Sequence, residues 1–287
     1  MSSTLEYVEP GEVTASLAAY YLPDEEKAVV ENGVPSWHCH ATNFVIVFSR
    51  LQPGQRLEVK GNEDEYIVIV ANGGCPVTIT AGDERASLTE DSLAIVPPGD
   101  SVVEATGEGY LWRVFSRDSH VYAEQAANAL PVNGGAPVAP LVPWPEPVGG
   151  YKLRTYRTVD YPNPDTPARI FRSRNLMVNL IVKREVFRPA TNLTPHTHDD
   201  FEQASIVSVG EWVHHIRRPW GVDSTAWAED EHVRVPSPSV SVIRTQDVHT
   251  SQNLTEHAQI IDVFGPPRVD FSRKGLVINA DEYPMPE

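Results

Sequence analysis

Short runs of apolar, mostly β-branched residues recur along the chain, broken at close intervals by Pro, Gly and Asn. Residues 43–51 (NFVIVFSRL), 65–71 (EYIVIVA), 77–80, 92–96 and 110–116 (YLWRVFS) have the length and residue types of strands. Pro53-Gly54, Asn72-Gly73-Gly74 and Pro97-Pro98-Gly99-Asp100 provide turns between them. A second set follows: residues 176–182 (LMVNLIV), 196–209, 211–218 (EWVHHIRR, entered through Gly210), 239–244 and 257–264. Helical periodicity is scarce, and residues 12–31, with Leu17, Tyr20, Tyr21 and Val29, predict one short helix. Strands this short and regular predict an all-β, mainly antiparallel fold of sandwich or barrel type.

Between the two sets, residues 131–150 hold six prolines and four glycines, a composition for an extended, semi-rigid connection. It divides the chain into residues 1–130 and 151–287, with an irregular tail from 266 to 287 expected to drape over the body. The 287 residues suffice for two domains of ordinary size. A net charge of −16 disfavours nucleic acid and anionic membranes as partners. No stretch approaches the ~20 apolar residues that span a bilayer. Residues 1–15 lack the cationic start and apolar run of a signal peptide, so a cytoplasmic protein is expected. Cys39 and Cys75 are too few for a disulfide framework and allow one bridge at most.

The candidate chemistry lies in Pro195-His196-Thr197-His198-Asp199-Asp200-Phe201-Glu202. On an extended strand His196, His198 and Glu202 share one face and offer three ligands to a divalent transition ion, with His249 as the candidate fourth. The halves also echo each other. Glu65 precedes Gly73 by eight residues as Glu202 precedes Gly210, an offset of 137, while Val102 and His249 are offset by 147. The second half thus carries about ten extra residues within 217–232, and a duplicated unit is expected.

The run PHTHDDFEQASIVSVG resembles the first motif of the cupin family, two histidines in HxH, three or four residues, Glu and a later Gly. The run PSVSVIRTQDVHTSQN is similar to the second motif, with a late His and an Asn four residues on. With the repeat, the whole chain resembles a bicupin, two cupin-type (RmlC-like jelly-roll) barrels in one polypeptide. The resemblance implies metal ligands His196, His198, Glu202 and His249, with Asn253 in support. It implies one divalent transition metal ion, Fe(II) before Mn, Ni or Zn, and a small-molecule substrate in the second barrel. In the first half Val59 and Gly61, or Glu58 and Lys60, stand at the histidine positions and Val102 at the last one, so that half is expected to be a structural partner in a homodimer. Arg244 and Gln246 depart from the Pro and Gly usual before the last histidine, and either reach the barrel mouth or cap a turn.

His214, His215 and Arg217 are further catalytic candidates. One of the two histidines must face the barrel interior as acid–base group or support for the metal, and Arg217 (or Arg218) suits a substrate carboxylate. Trp220 and Trp227 suit a lid or an interface, and His38 and His40 are expected to be structural. The favoured activity is a dioxygenase-type oxidation of a diketone, phenolic or keto/hydroxy acid. An isomerase or lyase acting on a hydroxy- or keto-acid is the alternative, and a non-catalytic metal- or ligand-binding protein the rival.

Overall fold

A computed structural model describes residues 6–7, 17–21, 23–122 and 138–286. The first half contains β1 (Leu17–Tyr21), β2 (Val29–Glu31), β3 (Val34–His40), β4 (Phe44–Leu51), β5 (Arg56–Asn62) and β6 (Tyr66–Val70). It continues through β7 (Val77–Ala81), β8 (Glu84–Leu88), β9 (Ser92–Val96), β10 (Gly99–Ala105) and β11 (Gly109–Ser116). The second half contains β12 (Arg154–Arg157), β13 (Ile170–Arg172), β14 (Met177–Leu180), β15 (Glu202–Val209) and β16 (Glu211–Arg217). β17 (Glu231–Pro236), β18 (Ser239–Ile243), β19 (Val248–Asn253), β20 (Gln259–Gly265) and a short helix α1 (Val269–Arg273) complete it.

All named strand pairs are antiparallel, and they form four sheets. A seven-stranded sheet (β12-β9-β6-β11-β4-β3-β2) and a four-stranded one (β5-β10-β7-β8) enclose the first barrel. A six-stranded sheet (β1-β18-β15-β20-β14-β13) and a three-stranded one (β17-β16-β19) enclose the second. The two large sheets pack back to back, which explains the continuous apolar runs in the sequence. On β6, Tyr66, Val68 and Val70 fill the first barrel while Ile67 and Ile69 join the layer between the barrels. On β15, Ala204 and Ile206 join that same layer from the other side, and Val207 turns into the second barrel. Burial of each such aliphatic side chain stabilises the fold by roughly 1.5–3 kcal/mol.

The halves exchange their first strands. β1 adds to β18 in the second barrel's sheet, and β12 adds to β9 in the first barrel's sheet. Each covers a backbone edge that would otherwise be open to pairing with another chain. The predicted boundaries therefore do not coincide with the sheets, because residues 154–157 belong to the first one. The helix expected over 12–31 does not form where it is described: residues 17–21 are strand, 25–27 a single 3-10 turn and 29–31 strand again. Leu17–Tyr21 is held by the open edge of β18, a tertiary partner invisible to periodicity. Residues 12–16 and the 131–137 part of the linker lie outside the described residues. Cys39 and Cys75 are buried free thiols, not a bridge. The tail is anchored: Val277 bridges to Ile170, and Tyr283 is buried between the barrels.

Candidate metal centre and its cavity

The two histidines of the HxH run lie just ahead of β15 rather than on it, because the chain bends at Asp199 and Asp200. They are stitched to the last turn of the second barrel by backbone bonds. The His196 N–H donates to the His249 carbonyl at 3.0 Å, and the His249 N–H donates back at 2.8 Å. The Gln246 N–H donates to the His198 carbonyl at 2.6 Å. Gln246 has a φ of 69°, the left-handed region that glycine enters without cost, so the missing glycine is replaced at a cost of about 1–2 kcal/mol. Arg244 caps the same turn by pairing with Asp247 at 3.3 Å.

This stitching gathers His196, His198 and His249, whose ligand atoms all lie within 4.8 Å of one another. The ring centroids are 4.5 to 5.1 Å apart. The His196 Nδ1 lies 3.0 Å from the Thr194 carbonyl and the His249 Nδ1 3.1 Å from the Asp247 carbonyl. A carbonyl only accepts, so a proton on Nδ1 satisfies each contact and would leave Nε2 to ligate. Neither ring nitrogen of buried His198 has a hydrogen-bond partner among the described residues. Burial, reinforced by the neighbouring histidines, pushes His198 down to about 2 and His249 down to about 4. Both are neutral at pH 7, the form that binds metal.

Glu202 is not in this group. Alternation along β15 turns it with Ala204 and Ile206 toward the layer between the barrels, where its Oε2 accepts the Thr42 N–H at 2.5 Å. Burial raises its pKa. Gln203, one residue on, faces the histidines, with its Oε1 3.3 Å from the His249 Nε2. The Gln203 amide is oriented from behind, its Nε2 donating to the Asp262 Oδ1 at 2.8 Å and to the Ser205 Oγ at 3.1 Å. A neutral His249 can donate to only one of its two acceptors, the Asp247 carbonyl or the Gln203 Oε1, and with the proton on Nδ1 the Nε2 and Oε1 lone pairs would both face a cation. That arrangement and the two bare nitrogens of His198 fit a cation. The one-residue change from Glu202 to Gln203 follows from the bend at Asp199–Asp200, which breaks the strand phase assumed from spacing. A gap of four residues after His198, rather than three, lands on Gln203.

The centre opens into a cavity of about 170 Å³ lined by His196, His249, Gln203, Asp262, Arg184 and Arg188, among others. Burial raises the Asp262 carboxyl against the opposing pull of the Ser205 hydroxyl. Neither arginine nor Asp262 carried a motif signal, since all three lie outside the HxH run and its matching late histidine.

No family model matches the chain, and no curated protein does. Solved structures do. Protein YlbA from E. coli aligns with a TM-score of 0.58 at 14% identity, covering 87% of this chain and 90% of that one. A cupin 2 conserved barrel domain protein from Leptotrichia buccalis aligns at 0.51 and 9% identity, covering 89% and 99%. An oxalate decarboxylase from Bacillus subtilis, described with Mn(II) centers, aligns at 0.54 and 14% identity, covering 88% and 76%. The chain has a bicupin fold.

Within the bicupin, strand register identifies equivalent positions. Tyr66 pairs with Val96 and Phe115 as Gln203 pairs with Ile243 and Phe264. Tyr66 therefore takes the place of Gln203 in the first barrel, and its hydroxyl meets the Ser101 hydroxyl at 2.8 Å. Glu65 is the equivalent of Glu202, so the repeated glutamate is genuine, but it marks the layer between the barrels rather than a lost metal ligand. The Glu65 Oε2 accepts the Arg174 N–H from the second half, as the Glu202 Oε2 accepts the Thr42 N–H from the first. Glu65 also accepts from the Tyr283 hydroxyl at 2.8 Å, and burial raises its pKa to about 7.

Of the remaining candidates, His214 faces the second barrel's interior. It is buried beside Ser251, with 2.7 Å between the His214 Nδ1 and the Ser251 Oγ, and burial pushes it down to about 3. His215 points to the opposite side of the sheet and pairs with His232 at 2.8 Å. Arg217 pairs with Asp230 at an exposed position and does not line the 170 Å³ cavity. Strand alternation accounts for both: 212, 214 and 216 face inward, so 215 and 217 cannot. Trp220 and Trp227 stack on each other, 4.4 Å apart, in the exposed insertion. In β3, the ring of His40 lies edge-on to Tyr122.

Proposed function

We propose that the protein is a metal-dependent enzyme with one working site, in the second barrel, acting on a small oxygenated organic molecule. The observation that carries this reading is the convergence of His196, His198 and His249 beside a cavity, with the Gln203 Oε1 3.3 Å from the His249 Nε2. These four residues would hold one divalent transition ion, and none of them would bring a negative charge, so the ion's full charge would stay available to a substrate. When bound, the ion supplies Lewis acidity and open positions for a bidentate substrate or dioxygen. Fe(II) is the first choice for oxidative chemistry, and the Mn(II) centers named for the structurally similar Bacillus subtilis oxalate decarboxylase support a divalent ion of this class.

The chain's own residues prepare the site. The backbone carbonyls at Thr194 and Asp247 orient two of the imidazoles through their Nδ1 atoms. Asp262 aims the Gln203 oxygen at the centre. Half-buried Phe201 stacks on His198, with ring centroids 4.3 Å apart, and covers that flank. Dioxygenase-type oxidation is the reaction to test first. Proton transfer on a hydroxy- or keto-acid is the second reading, favoured by the Asp262 carboxyl on the cavity wall.

Elemental analysis of purified wild-type and His198→Ala protein tests the site. We expect about one transition ion per chain in the wild type and loss of the ion in the variant. Oxygen uptake with a panel of diketones, phenols and keto acids then separates the two reactions. Full metal occupancy in His198→Ala would sink the assignment.

A further inference from the structure

We propose that Arg184 and Arg188 form a carboxylate-binding end to the same cavity, so that the substrate is a small 2-oxo or 2-hydroxy acid rather than a neutral diketone or a phenol. Placing the acid's second oxygen at the histidines rests on the metal-site reading above, whereas the arginine pair is an independent feature of the cavity wall.

Both arginines line the cavity that His196, His249 and Gln203 close. Both are partly buried, and neither has a carboxylate partner among the described residues. The Arg188 guanidinium donates only to neutral groups, the Thr194 Oγ1 at 2.7 Å and the Ser251 carbonyl at 2.8 Å. Arg184 forms no side-chain hydrogen bond or ion pair among the described residues. Nearby acids are committed elsewhere. Glu185 is paired with His257 and Lys183, and the Asp262 Oδ1 accepts from Gln203 and Ser205. Burial lowers the pKa of both arginines, and the charge of Arg184 lowers that of Arg188 further. Two partly desolvated like charges side by side are unfavourable by themselves, and an anion between them relieves both the repulsion and the unfilled hydrogen bonds.

The pair is also held in place before any ligand arrives. The Arg184 N–H donates to the Ala258 carbonyl at 2.8 Å, and Ala258 donates back at 3.0 Å. The Arg188 N–H donates to the Asn253 Oδ1 at 2.8 Å, and the Asn253 Nδ2 donates to the Val186 carbonyl at 3.2 Å. Asn253, expected to support the metal, instead pins the segment that carries Arg188. Such preorganisation reduces the entropy lost on binding. At about 170 Å³ the cavity falls below the roughly 300 Å³ typical of sites for drug-sized ligands, which selects a short acid. Diketones and phenols of that size lack the charge that two unpaired arginines call for.

Calorimetric titration of the protein with its bound metal tests this, using 2-oxobutanoate and pentane-2,3-dione, which replaces the carboxylate by an acetyl group's methyl ketone. We expect the acid to bind at least about ten-fold more tightly than the diketone. Arg184→Gln and Arg188→Gln should each weaken the acid by about 10- to 100-fold, the worth of a charged hydrogen bond, with metal content and diketone binding unchanged. Arg184→Gln removes no internal bond, so its effect is free of any folding defect. Equal binding of the two probes, no binding of the acid, or wild-type affinity in both variants would overturn the arginine site. With metal still present, that result would leave the metal centre standing. Arginine-dependent acid binding in a protein without metal would support the arginine site and remove the metal reading.

Discussion

The two barrels share a strand framework and differ in what fills them. In the first, Leu57, Val59, Val68, Val70 and Val103 pack around Tyr66, whose ring stacks on Phe115 at 4.6 Å. In the second, the equivalent register position holds Gln203, and around it lie His196, His198, His249, Asp262 and two arginines. The first interior gains the full stabilisation of apolar burial and close packing. The second buries polar groups, and the two ring nitrogens of His198 have no hydrogen-bond partner among the described residues. In the proposed reading one barrel works as a scaffold, while the other accepts a less stable interior in exchange for a place where a ligand can bind. The layer between them treats both alike, since Glu65 and Glu202 each accept a backbone N–H from the opposite half.

The largest effect expected in testing this contrast comes from emptying the scaffold. Tyr66→Ala should destabilise the protein by about 3–5 kcal/mol through the cavity it leaves, measured by urea unfolding. Metal content in the folded variant should stay at the wild-type level, because no residue near His249 moves with it. A loss of metal on this change would mean the barrels are not separable in role.

Glu65 gives the next effect, in the dependence of stability on pH. Its carboxyl holds a proton up to about pH 7 in the folded protein and releases it near 4.5 when unfolded. Its contribution to stability is therefore fully present below pH 4.5 and is lost as pH rises through 7. The loss amounts to about 3 kcal/mol across that window. Glu65→Gln removes the titration, so the stability of the variant relative to wild type should rise by about that amount between pH 4.5 and 8. Parallel pH profiles for the two proteins would refute the buried, protonated Glu65.

The smallest effect sharpens the assignment of neighbours on β15. Gln203→Ala should weaken metal binding by about 10- to 100-fold, in line with losses on removing a group that tunes a metal site. Glu202→Gln should leave metal affinity unchanged and lower only the unfolding midpoint. Competition with a coloured chelator measures both. The reverse ranking would return the carboxylate to the metal centre and require a different side-chain alternation on β15.

Much of this was written locally in the chain. Alternating and continuous apolar runs determined most of the β-strands and their antiparallel character, because strand period and buried faces leave their mark on consecutive residues. HxH and the distant His249 determined three of the residues at the centre, since imidazoles at that spacing are rare without a common task. Tertiary structure decided the rest. The exchange of β1 and β12 between barrels depends on which sheet edges are open, and strands at the edge or with mixed polarity, such as Arg56–Asn62 and Glu231–Pro236, have no period that stands out. The side facing of Glu202, Gln203, His214 and His215 depends on a bend at Asp199–Asp200 and on the inward register of β16, and one residue of phase reverses each of them. Arg184 and Arg188 meet the histidines only because Ala258 and Asn253 hold their segment over the barrel mouth. Sequence could name the side chains able to do chemistry, but only folding could say which of them share a cavity.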